Sequence, residues 1–99
     1  MFALQTQYDM ERKSQVVYTN SGEEMLFQYD IKDKDAQSFV ITDIDKAGEN
    51  MPDIRVSRPD DAEHPSFISH DEERPIAIVD EDSPLMKFCR LVLADELGE

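Results

Sequence analysis

Tryptophan is absent from this 99-residue chain, cysteine occurs once and glycine only three times. Each shortage removes a class of chemistry. One cysteine, Cys89, leaves no internal disulfide, and its apolar neighbours mark it as a buried, inert thiol. Three glycines are too few for a phosphate-cradling loop, and no nucleophile-elbow pattern surrounds a serine. No apolar run approaches the ~20 residues of a membrane span, and no signal-type stretch follows Met1, so the expected location is cytoplasmic. Base is scarce too: 10 Lys and Arg stand against 23 Asp and Glu, a net charge of −13. Phosphates of nucleic acids and anionic membranes repel such a chain. The expectation is no direct nucleic-acid contact, no membrane contact, and a basic protein surface as partner.

The acids are unevenly spread. Residues 1–42 hold seven acids and four bases, whereas residues 43–99 hold sixteen and six. Nine acids fall within residues 60–82, with Arg74 as the only base there. These are Asp60, Asp61, Glu63, Asp71, Glu72, Glu73, Asp80, Glu81 and Asp82, the expected partner-binding set. Charge runs usually mean a solvated face, and an acidic proteome would produce the same balance. Two functional readings stand beside that one. Acids can steer a basic partner toward docking. They can also imitate the phosphate rows of a duplex, as in a DNA mimic that blocks a nucleic-acid-binding protein, of the anti-restriction or anti-nuclease type. A mimic needs carboxylates in extended rows, whereas a partner-specific module needs an apolar hot spot ringed by charge.

Catalytic and metal signals are thin. Asp43, Asp45 and Gly48 fit the first, third and sixth positions of a calcium loop, but Ala47 and Ile54 stand where ligands are required. An acidic turn after a strand is the better reading. His64 and His70 lie among acids, with Ser66 and Ser69 between them, and suggest a metal-binding or enzymatic loop as a further alternative. Their spacing is not that of a helical pair, and Pro65 opposes a helix there. The expectation is no enzyme, no cofactor and no resident metal.

Strand patterns dominate residues 1–79. Residues 2–8 alternate, as do 24–31, with Met25, Phe27, Tyr29 and Ile31 on one face. Residues 14–19 centre on Val16-Val17-Tyr18, and Asn20-Ser21-Gly22-Glu23 turns them back on 24–31 as a β-hairpin. Residues 38–44 form a further strand with an interior character. Residues 45–53 read as loop, 54–57 as a short strand, 58–66 as the least structured stretch, and Phe67-Ile68 as a small apolar anchor. Pro75 opens or edges a strand over 75–79.

The last stretch is the best-punctuated helix. Ser83 can cap it, Pro84 suits the first helical position, and Gly98 suits a left-handed stop. Its apolar residues cover more than half the circumference, leaving Lys87, Arg90 and Ala94 as the outer face. Either a sheet curls around this helix, or part of it meets a second copy of the chain through Phe88 or Leu91 and an exposed strand edge. The sequence thus predicts one α+β domain over residues 1–99: an antiparallel β-sheet of four or five strands with one C-terminal α-helix on a face. The function it predicts is a small, acidic, non-enzymatic protein-interaction module, an inhibitor or accessory factor, with homodimerisation expected.

Overall fold

Pro84–Leu97 form the helix, α1, and each punctuation mark acts as its residue type predicts. Ser83 is extended and its Oγ accepts a hydrogen bond from Met86 N at 3.1 Å. Pro84 stands where no N–H is needed, and Gly98, at φ 71°, returns its N–H to Ala94 O. The computed structural model describes residues 12–61 and 63–98. The strand expected over residues 2–8 lies outside that range.

The rest of the described chain is antiparallel sheet, with more strands than the four or five expected. They are β1 (Lys13–Tyr18), β2 (Glu24–Lys32), β3 (Ser38–Lys46), β4 (Glu49–Met51), β5 (Ile54–Ser57), β6 (Ser66–Asp71) and β7 (Arg74–Ala77). The order is β1-β2-β3-β5-β6-β7, with β4 also pairing β3. The β1–β2 hairpin forms about the predicted turn, pairing Val17 with Met25 and Tyr18 with Glu24.

Within residues 45–53, where a loop was expected, β4 folds back on β3 as a second hairpin. Ala47 (φ 52°) and Gly48 (φ 92°) supply the two left-handed residues of a type I′ turn, and Asp45 Oδ1 accepts the Gly48 N–H at 2.7 Å. Asp43, also left-handed, sits where the β2–β3 register slips, so it is a β-bulge residue. The calcium-loop pattern is therefore replaced by a bulge and a turn. Residues 66–77 form a third hairpin. Its turn places Glu72 (φ 49°) and Glu73 (φ 66°) in the left-handed region without a glycine.

The sheet curls around α1. Val17, Phe27, Tyr29, Phe39, Ile41, Ile44, Ile54, Val56 and Phe67 turn inward from five strands. They meet Met86, Phe88, Cys89, Val92 and Leu93 of the helix in one core. Phe88 is fully buried, stacked on Phe27 at 4.2 Å and edge-on to Tyr29 at 5.3 Å. That burial removes it from any surface contact, correcting its expected place at a dimer interface. Leu91 does face outward, at 41% exposure. Burial pushes the Cys89 thiol up to about 12, so it stays protonated at neutral pH. No helix among the described residues is long and apolar enough to cross a membrane.

The C-terminal end of the helix is tied to the sheet and its connections. Glu96, whose side chain is 8% exposed, receives Lys34 Nζ at 3.0 Å and Lys13 Nζ at 3.3 Å. Burial pushes its carboxyl up, but hydrogen bonds and charge from the two lysines outweigh this and hold it below the ordinary glutamate range. Arg58 Nη2 donates to Leu97 O at 2.8 Å, joining the helix C-terminus to the β5–β6 connection.

Candidate interaction site

Because the sheet wraps the helix from both sides, α1 has two flanks, and each is grooved. The flank toward β6 and β7 gathers the residues that the sequence left as disconnected fragments. Phe67 and Ile68 come from β6, and Ala77, Ile78 and Val79 from the end of β7 and its continuation. Met86 and Arg90 come from α1, and His64 and Pro65 from the β5–β6 connection. Together with Ser66 and Glu81 they enclose an apolar groove of about 490 Å³.

Local structure explains each wall. Phe67 alternates inward with its β5 partner Val56, and Ile78 N donates to Phe67 O at 2.8 Å, extending the ladder past β7. Val79 follows, beyond the last inward position, and is 78% exposed, the most exposed of the large apolar side chains described. Arg90 reaches across from the helix. Its guanidinium lies 5.6 Å from the Phe67 ring centroid, and its Nη2 donates to both Glu81 carboxylate oxygens at 3.0 Å. This arginine is neutralised by Glu81, so the groove's net sign is set by the acids in the two connections that flank it.

The structure divides the nine predicted partner-binding acids between two places. Asp60, Asp61 and Glu63 lie in the β5–β6 connection, and Asp80, Glu81 and Asp82 in the segment entering α1. Both connections border the apolar groove at one end of the β6–β7 hairpin. Asp71, Glu72 and Glu73 form the turn at the opposite end, roughly 17 Å away at about 3.4 Å per strand residue. Between the two ends the outer sheet face carries mixed charge. Lys32 pairs with Asp53 at 3.3 Å, and exposed Arg55 stands in the same cross-strand row with Val40 between them.

The histidines do not converge. His64 borders the groove before β6 begins, while His70 lies near the far end of that strand, paired with Pro75. Ser66 and Ser69 are ladder residues of β6, paired with Ser57 and Ile54. Among the described residues no group of three or more His, Cys, Asp or Glu is arranged to hold a metal ion.

A third depression, polar, lies by Arg12, Asp30, Asp43, Asn50 and Asp53. Arg12 Nη2 donates to Asp43 O, and Thr42 Oγ1 donates to Asp53 Oδ1 at 2.9 Å.

Compared with protein-family models, curated protein sequences and solved structures, the chain matches none.

Proposed function

We propose that the protein is a non-enzymatic interaction module, acting as an inhibitor or accessory factor. It seats an apolar side chain of a basic partner protein in the groove between β6–β7 and α1. The observation that carries this reading is the coincidence of an exposed apolar residue, Val79, with five acids besides the Arg90-bound Glu81 in the two connections that border its groove. Interface anchors work by desolvation at the centre, and surrounding charge acts on encounter and orientation. The division of labour here is apolar floor, acidic rim. A duplex mimic is the less favoured reading. It needs uninterrupted carboxylate rows, and Lys32 and Arg55 break the outer sheet face.

A short synthetic peptide with one leucine flanked by lysines is a sufficient probe. Val79→Ser should weaken its binding about tenfold at both low and high salt, the order expected for removing an apolar anchor. Asp80→Asn with Asp82→Asn should lower the association rate at low salt and leave dissociation nearly unchanged. A Val79→Ser protein that binds the peptide as the wild type does would contradict the groove as the site.

A further inference from the structure

The other flank of α1 faces the β1 edge. Val16, Val17, Tyr18, Lys87, Arg90 and Leu91 line a groove there of about 510 Å³. Six large apolar side chains are exposed among the described residues, and four of them gather at this edge. They are Val16 (44%), Tyr18 (58%), Leu26 (48%) and Leu91 (41%). Val16 and Leu26 stand opposite each other across the β1–β2 ladder, so the apolar surface continues from the groove onto the outer face. A contiguous patch of this kind marks an interaction surface more often than scattered residues do.

β1 is also the edge strand of the sheet among the described residues. The Thr19 N–H bonds to Glu23 O, which sets the alternation of the ladder. The backbone groups of Ser14, Val16 and Tyr18 therefore point away from β2. Lys87 Nζ already occupies Tyr18 O, at 3.2 Å, while those of Ser14 and Val16 take no partner among the described residues.

Charge selects the occupant. Lys87, Leu91 and Asp95 are spaced by four and share the outward stripe of α1. The helix runs beside β1, with Lys87 at Tyr18 and Asp95 within 3.4 Å of Gln15. The patch is thus positive at one end, apolar at its middle and negative at the other. A two-fold axis through that middle brings each Lys87 to the Asp95 of the other copy and each Leu91 to its equivalent. The acid-rimmed groove has no such balance and repels its own copy. We infer that the β1–α1 flank is a homodimer contact, two copies meeting antiparallel about Val16 and Leu91.

The test is sedimentation equilibrium of the full chain from micromolar to millimolar concentration at physiological and high salt. Circular dichroism serves as the fold control. The wild type should show a monomer–dimer equilibrium, strengthened as salt screens the net charge of −13. Leu91→Glu should abolish the dimer while the fold persists, because Leu91 is exposed. Lys87→Asp and Asp95→Lys should each weaken association about tenfold, since each sets like charges against each other across the axis. The double swap should restore it, because the opposite charges again meet. Three outcomes overturn the inference: a wild type monomeric under every condition, a dimer indifferent to Leu91→Glu, or a double swap no better than either single change.

Discussion

Glu72 and Glu73 hold the least comfortable backbone described in the molecule. Both central positions of the β6–β7 turn are left-handed, where Asn-Gly is the usual solution and a Cβ-bearing residue is strained. The cost is of the order of 1 kcal/mol per residue. Glu72→Asn with Glu73→Gly should therefore stabilise the protein by about 1 kcal/mol net of the glycine's chain entropy, raising the midpoint of thermal unfolding by ~4–8 °C. Because this turn lies at the far end of the hairpin from the Val79 groove, binding of the leucine–lysine peptide should not change. A melting point that falls would show that the acidic turn is held by interactions the left-handed φ values do not reveal. The same strain explains why this hairpin was hard to see in the sequence. Asp71-Glu72-Glu73-Arg74 offers no glycine, asparagine or proline, so the residues that make the turn read only as charge.

At the scale of elements, what was legible is what carries local grammar. The helix announced itself by Ser83, Pro84 and Gly98, and the first hairpin by its alternation and its Gly22 turn. β4 and β6 carry little of that grammar. β4 is three polar-leaning residues, and β6 buries only Phe67, with Ser69 at the next inward position. Their places come from tertiary pairing, β4 on β3 and β6 on β5. The apolar groove was invisible for a further reason: its walls are brought together by the curl of the sheet, from fragments between residues 64 and 90. Docking of the helix rests on Phe88 in the core and on Glu96 at the rim. The depressed carboxyl of Glu96 sets the sign of a pH effect. Its contribution is complete above the unfolded glutamate value near pH ~4.3 and is lost as pH falls through the lower folded value. Glu96→Gln should cost about 1–2 kcal/mol at pH 7, less than a fully buried pair because Lys13 and Lys34 are about half exposed. The wild type and the variant should converge at acid pH, once the carboxyl is protonated in the folded state as well, in urea-unfolding profiles. A constant gap between the two profiles from pH 7 to pH 2 would contradict the ion-pair account.

For the whole molecule, the curl of the sheet is what converts an acidic sequence into a surface with distinct parts. It hides five helix residues, leaves Leu91 of the apolar arc exposed, and leaves a groove on each flank. One flank is bordered by acid and the other is balanced between Lys87 and Asp95. The net charge of −13 is thus not uniform in effect. It favours a cationic partner at the first flank and permits self-contact at the second. The most direct test of the first assignment is a nitrogen–proton NMR titration of the full chain with the leucine–lysine peptide at ~20 and ~300 mM salt, where the Debye length falls from about 20 Å to about 6 Å. The account predicts perturbed amides at residues 64, 66–68, 77–82, 86 and 90 at both salts, with weaker affinity but the same footprint at the higher. A footprint confined to residues 71–74, or one that disappears altogether at high salt, would contradict it.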